Sequence, residues 1–395
     1  MTLNLKLINR LIGLNAITFS EGEYKIWNVG MMFFPYSVTA FIQHSFEKKF
    51  GKKASEILYY VGKLQAYNGT MLIIRQFGIK NPENMYDLFS EQAAMVGVGV
   101  MKLNLVDVKN MHFIIELDNN PYANEYLKKY RKESGFSDNY LRGLVAGASE
   151  AAFGGDLLAI ETKCISKGDG KCVFEIKEKT KWDIKDPLVK EQMPSEAVDY
   201  KAMLKKLQLN TLVKSKISYG DIASNFFKTK KVRFGDDGKF CLLNVGGMSM
   251  PMDTCIMFIN SFKQLFGRNA DKILYEAGNL YSKTIIEATA KEKITTVSQL
   301  NSILSEWQTF GFGMLQVVRC NEQDETCHTK LSEHIFAKHY VKIFGMQKEP
   351  IDPFMPGIVN GVLEFFHNRK LLTIEKQCLM QGRSSSCYFE TTPQK

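Results

Sequence analysis

Two short segments of this 395-residue chain gather side chains suited to holding a metal ion. The first runs Glu161-Thr-Lys-Cys164-Ile-Ser-Lys-Gly168-Asp169-Gly170-Lys-Cys172-Val-Phe174-Glu175. The second runs Glu375-Lys-Gln-Cys378-Leu-Met-Gln-Gly382-Arg-Ser-Ser-Ser-Cys387-Tyr-Phe389-Glu390, with one more residue between its cysteines. In each, a glycine-bearing turn joins two strands, so thiolates at the end of one strand and the start of the next can approach across the hairpin. Two sulfurs and a carboxylate suit Zn²⁺, which takes Cys and Asp/Glu in a tetrahedral shell. Side chains alternate faces along a strand, and Glu161 stands three positions before Cys164. A shared ion therefore requires the strand to bulge or bend between them, as it does between Glu375 and Cys378.

The elements that carry these hairpins recur. Sliding the chain against itself gives a match at an offset of 216 and then 214: Gly22, Asn28, Pro35, Phe46, Gly51, Tyr59 and Gly62 return as Gly238, Asn244, Pro251, Phe262, Gly267, Tyr275 and Gly278. Further on, Gly97, Gly99, Tyr126, Asp138, Gly143, Gly147, Glu150 and Glu161 return as Gly311, Gly313, Tyr340, Asp352, Gly357, Gly361, Glu364 and Glu375. This is the signature of one domain used twice. The reading is a first domain over 1–177, a partly helical Lys/Glu-rich linker over 178–215 with a helix start at Met193-Pro194-Ser195, and a second domain over 216–395. Within one copy the patterns predict a strand over 21–28 and a helix opened by Pro35. Helices over 52–76 and 82–95, strands over 98–108 and 112–117, helices over 122–131 and 139–153 and a terminal hairpin over 157–166 and 172–176 complete it. Helices first and an antiparallel sheet after is an α+β pattern.

The Gly143/Gly147 helix, then Glu161-x-x-Cys164, a glycine turn and Cys172-x-Phe174, resembles the 4-vinyl reductase-type domain. That domain is also the hydrocarbon-sensing region of phenol- and xylene-responsive activators, and its fold is shared with TRAPP vesicle-tethering subunits and haem nitric-oxide-binding domains. The resemblance covers both copies and is strongest over 138–177 and 352–391. It implies a tandem of two helices-on-sheet domains of the NO-signalling/Golgi-transport ligand-binding fold, paired inside one chain as a pseudo-dimer or between chains as a homo-oligomer. It also implies a structural zinc held by Glu161, Cys164 and Cys172, and another by Glu375, Cys378 and Cys387. The sensors' additional Cys ligand is absent; Asp138 and Asp352 lie near its place, and an Asp can ligate zinc. The His and Trp that anchor a phenol in the sensors have no match here.

The function this implies is a non-catalytic binding or sensory protein that encloses a small hydrophobic molecule or acyl chain and passes any signal through a partner protein. One alternative is a reductase-related enzyme or accessory acting on a tetrapyrrole vinyl group, although the chain shows no nicotinamide or flavin motif to supply electrons. A second alternative is a tethering or assembly adaptor without ligand.

Composition narrows the remainder. A net charge of +9 from 51 Lys+Arg and 42 Asp+Glu is spread along the chain and predicts no nucleic-acid partner. No run reaches the ~18 apolar residues of a spanning helix, and the helically spaced apolar residues 1–14 are too interrupted for a signal core. A cytoplasmic protein with reduced cysteines is expected. Cys320 and Cys327-His328 flank an acidic loop, but Val106 and Phe113 stand at offset 214, so an ordinary hairpin is expected there. Cys241 and Cys255 read as core, and none of the six histidines recurs between copies, so neither a Ser/His/Asp nor a Cys/His arrangement is expected. The 18 Met and 27 Phe suit either core packing or an adaptable apolar pocket.

Overall fold

The computed structural model describes residues 17–20, 22–26, 29–77, 89–90, 93–131, 135–195, 232–234, 238–290, 293–321 and 326–394. The first part of the chain contains β1 (Ile17–Ser20), β2 (Glu23–Ile26), β3 (Val29–Pro35), α1 (Tyr36–Phe50), α2 (Lys52–Phe77), β4 (Lys102–Asp107), β5 (His112–Leu117), α3 (Pro121–Tyr130), α4 (Asn139–Phe153), β6 (Leu157–Lys163), β7 (Cys172–Glu178) and α5 (Pro187–Gln192). The second part contains β8 (Val232–Phe234), β9 (Phe240–Leu242), β10 (Val245–Pro251), α6 (Met252–Phe266), α7 (Arg268–Thr289), α8 (Val297–Trp307), β11 (Met314–Cys320), β12 (Cys327–Ser332), α9 (Ile335–Phe344), α10 (Phe354–His367), β13 (Leu371–Gln377) and β14 (Ser386–Pro393). The helically spaced apolar residues 1–14, most of the helix expected over 82–95, and the linker helix beyond residue 195 lie outside the described residues.

The strands form three sheets. Two are four-stranded and antiparallel with the same order, β4-β5-β7-β6 and β11-β12-β14-β13. The third has six strands in the order β1-β2-β3-β10-β9-β8. At its centre β3 and β10 run antiparallel with Phe33 opposite Ser249, the residue 216 positions further on, so each strand pairs with the one at that sequence offset. The protein is α+β with more than one domain.

The chain divides into two compact units. Among the described residues, one gathers those within 43–195 and 234–240, and the other those within 17–42, 232–233 and 241–394. In the first unit α2 and α4 cross in close contact, and α4 backs onto the sheet at β6. The recurring glycines explain this crossing: a Cβ on Gly143 would collide with the Tyr59 carbonyl oxygen, and one on Gly147 with that of Lys63. In the second unit α7 and α10 repeat the arrangement, with Gly357 against the Tyr275 carbonyl and Gly278 against that of Phe354. Lys63 lies buried beneath the first crossing, bonding Glu150 at 2.8 Å and the Leu157 carbonyl at 2.9 Å. The second unit packs Phe34, Phe310, Phe312 and Phe354 around the buried Tyr281.

The edge of β6 is closed by the segment that follows β7. Trp182 donates its indole N–H to the Leu158 carbonyl at 3.2 Å. Gln192, the last residue of α5, bonds Glu161 twice: its Oε1 accepts from the Glu161 N–H at 2.8 Å, and its Nε2 donates to the Glu161 carbonyl at 2.7 Å. An amide side chain thus stands where a further strand would pair, which protects an otherwise open edge.

Candidate metal centres

The irregularity that a shared ion requires is present in both hairpins. Between β6 and β7 the pairing steps from Glu161–Phe174 to Lys163–Val173, leaving Thr162 as the extra residue. Between β13 and β14 the same step occurs between Glu375 and Gln377. Each strand then ends, and a single 3-10 turn, Ile165–Lys167 or Leu379–Gln381, returns the chain through a left-handed glycine, Gly168 or Gly382. The turn presents backbone N–H groups to the second thiol: Ile165 N lies 3.5 Å from Cys172 Sγ, and Leu379 N lies 3.3 Å from Cys387 Sγ.

In the first unit Asp138, Glu161, Cys164 and Cys172 converge, and one ligand atom from each lies within 4.8 Å of all the others. All four side chains are buried. Asp138 occupies the N-cap position of α4, yet its carboxylate caps no helix N–H and is directed into the cluster instead. Its Oδ2 accepts from Asn120 Nδ2 at 2.8 Å and lies 3.8 Å from Cys164 Sγ. Asn120 is fixed as the N-cap of α3, its Oδ1 accepting from the N–H groups of Tyr122 and Ala123, both at 3.1 Å. Its Nδ2 also reaches Cys172 Sγ at 3.5 Å. Cys164 Sγ lies 2.9 Å from Ser166 Oγ, and the Cys164 N–H donates to Asp169 Oδ2 at 2.8 Å.

Both oxygens of Glu161 and Oδ1 of Asp138 are buried without a hydrogen-bond partner. Such atoms carry a desolvation cost that a cation would offset. Burial, with the nearby Cys164, pushes the Asp138 carboxyl up to about 8. Burial, with Asp138 and Cys164, holds Glu161 well above the carboxylate range. Cys172 hydrogen-bonds to Cys164, which lowers the Cys164 thiol to about 5 and raises its own. Without a cation, Asp138, Glu161 and Cys172 share the dry space by retaining protons, and the negative charge settles on Cys164. Two sulfurs and two carboxylates with unsatisfied oxygens fit a thiophilic divalent ion.

The second cluster is built differently. Glu375 and Cys387 meet His334, with one ligand atom from each within 4.8 Å of the others. His334 is fully buried, its Nδ1 3.2 Å from Cys387 Sγ and its Nε2 3.4 Å from Asp352 Oδ2. Cys378 Sγ lies 3.6 Å from Cys387 Sγ, while Asp352 uses Oδ1 to accept from the Phe354 N–H at 2.9 Å. Neither Glu375 oxygen has a hydrogen-bond partner. Burial and the neighbouring Cys378 push Glu375 up to about 9. Burial alone would lower His334, but its contact with Asp352 outweighs that and raises it.

The expectation that no Cys/His arrangement exists is thereby corrected. His334 stands 214 positions after Asn120, so the imidazole and the amide occupy equivalent places and both reach the second thiol. The available signal was a polar residue before a helix at both positions, which the lack of a recurring histidine hides. A second correction concerns Cys320 and Cys327: their hairpin is present, but its two cysteines are joined as a disulfide. Cys164, Cys172, Cys378 and Cys387, the buried Cys255 and the half-buried Cys241 are not in disulfides. Among the described residues no helix is long and apolar enough to cross a membrane.

No protein-family model matches the chain, and no curated protein does. Among solved structures it is similar to the phenol-responsive sensory domain of the transcription activator PoxR with phenol, at 13% identity and a TM-score of 0.42, over 48% of this chain and 98% of that one. It is also similar to a vinyl-4-reductase family protein from Methanocaldococcus jannaschii, at 22% identity and a TM-score of 0.23, over 35% of this chain and 88% of that one.

Proposed function

We propose that this chain is a non-catalytic binding protein made of two copies of one domain, 1–177 and 216–395, joined by the linker 178–215. Each copy carries a structural zinc at its terminal hairpin and encloses a small apolar molecule. The observation that carries the proposal is the buried convergence of Asp138, Glu161, Cys164 and Cys172, with three oxygens unpartnered. Four protein donors complete a tetrahedral shell and leave no position for substrate, which favours a structural ion over a catalytic one. The second copy takes His334 with Glu375 and Cys387, joined by Cys378 beside Cys387, and Asp352 orients the imidazole. The duplication is supported by the shared strand order of the two four-stranded sheets and by β3 pairing with its counterpart β10. The apolar ligand rests on the resemblance of the hairpin sequences to the hydrocarbon-sensing domain and on the abundance of Met and Phe.

Elemental analysis of protein purified without chelator tests the metal. Cys164→Ser and Cys387→Ser should each lower the zinc content by about one ion per chain. Unchanged zinc in both variants, or no zinc in the parent, overturns the proposal. Native mass spectrometry of the same preparation tests the ligand, through a copurifying apolar adduct that organic extraction removes.

A further inference from the structure

Away from the hairpin-end clusters, three positions change character together between the halves of the repeat. In the first half Val106 and Phe113 are directly paired across β4 and β5, and Phe113 stacks on Phe153 with ring centroids 4.4 Å apart. At an offset of 214 the same three places hold Cys320, Cys327 and His367. Cys320 and Cys327 are directly paired across β11 and β12 and joined as a disulfide. His367, the last residue of α10, places Nε2 3.3 Å from Cys327 Sγ. The two sulfurs and the imidazole nitrogen all lie within 4.8 Å of one another.

We propose that, with this disulfide reduced, Cys320, Cys327 and His367 form a third site for a thiophilic divalent ion of the zinc class, and that reoxidation expels the ion. A single Cys in place of an apolar residue is an ordinary small core side chain. Three apolar residues replaced at one point by two thiols and an imidazole form a metal-ligand set. The Cα atoms of the pair are 4.1 Å apart on paired strands, so rotation about χ1 separates the sulfurs without moving the backbone. Cys320 and His367 are half-buried, so ions and small thiols reach this site from solvent, whereas the cluster at Asp138 is closed. In the oxidising step a glutathione-type disulfide accepts two electrons from the zinc-bound thiolates. The Cys320–Cys327 bond forms, the reagent's own S–S bond breaks to give two small-molecule thiolates, and Zn²⁺ leaves.

The test is zinc content of the full chain equilibrated with zinc and desalted, under a phosphine reductant or under glutathione disulfide, with thiols counted by alkylation and mass spectrometry. The reduced parent should hold about one more ion per chain than the oxidised parent. The variant C320V/C327F/H367F, which restores the first-half residues, should fold and lose that difference, while ions at the other two clusters are common to both proteins. Equal zinc in both redox states of the parent, an undiminished difference in the triple variant, or a Cys320–Cys327 bond that resists reduction in the folded protein would overturn the proposal.

Discussion

Replacing Glu161 with Gln should have opposite consequences with and without metal. In the loaded protein it removes one of four donors. At a free zinc concentration about a thousandfold above the dissociation constant, binding to the native state supplies about 4 kcal/mol of stability. A unit of this size shifts its midpoint by about 2–4 °C per kcal/mol, so loss of the ion should lower the melting temperature by about 8–16 °C. In chelated protein the balance reverses, because Gln is a neutral isostere of the protonated acid that the dry cluster enforces. There E161Q should melt at the parent's temperature or slightly above it.

The pH dependence follows from the same groups. Asp138 and Glu161 have native-state pKa values raised above their unfolded ones, so the chelated native state binds more protons than the unfolded chain. Their contribution is fully present in acid and is lost as pH rises from the ordinary carboxylate range toward about 8. The loaded protein should show the opposite trend, because protons compete with the ion. Differential scanning fluorimetry of parent and E161Q, with zinc and with chelator, between pH 5 and 8.5 provides the four curves. Superimposed parent and E161Q curves in zinc, or a large loss in E161Q under chelator, would refute the reasoning.

Gly143→Ala forces a Cβ against the Tyr59 carbonyl and should cost about 3 kcal/mol in denaturant unfolding, whereas Gly69→Ala, in α2 with open space around it, should gain up to about 1 kcal/mol. Gln192→Ala removes both bonds to the Glu161 backbone; unfolding should show a loss of about 2 kcal/mol, and competition with a chromogenic chelator should show roughly tenfold weaker zinc binding at unchanged stoichiometry. Lys63→Met leaves Glu150 and the Leu157 carbonyl without their buried cation and should cost about 3 kcal/mol, read in the same unfolding assay.

The helices that frame the first site were legible because their ends are marked. The expected 139–153 and the observed Asn139–Phe153 coincide, and Asn120-Pro121 starts α3 as an N-cap followed by proline. Even the kink between Glu161 and Cys164 followed from a parity argument, since period two forbids one face to residues three apart. Of the six-stranded sheet, β2 was legible as the strand expected over 21–28, but β3 was not. Val29–Pro35 is buried on both faces, so its Met-Met-Phe-Phe run lacks the alternation by which a half-exposed strand is recognised. The disulfide was missed for a related reason: two cysteines flanking a loop do not reveal their register, and only direct pairing of Cys320 with Cys327 brings the sulfurs together.

The two hairpin clusters also differ in where their positive charge comes from, which bears on whether both can hold the same ion. In the first unit the buried Arg142 bonds the Ala159 and Gln192 carbonyls at 3.2 and 2.6 Å and is one of the charges felt by Glu161. Its counterpart at offset 214 is Pro356, so the second unit lacks that guanidinium. There His334 replaces the neutral Asn120, and its imidazole supplies charge when protonated and a metal ligand when neutral. A permanent cation behind the first cluster limits how much negative charge a bound ion must offset. The second cluster must deprotonate His334, whose pKa Asp352 raises, before the imidazole can ligate. Release of zinc from the second hairpin on acidification should therefore include proton uptake by an imidazole, a step the first hairpin lacks. His334→Asn, which copies the first unit's amide without its arginine, should leave the second hairpin with the weaker site at every pH.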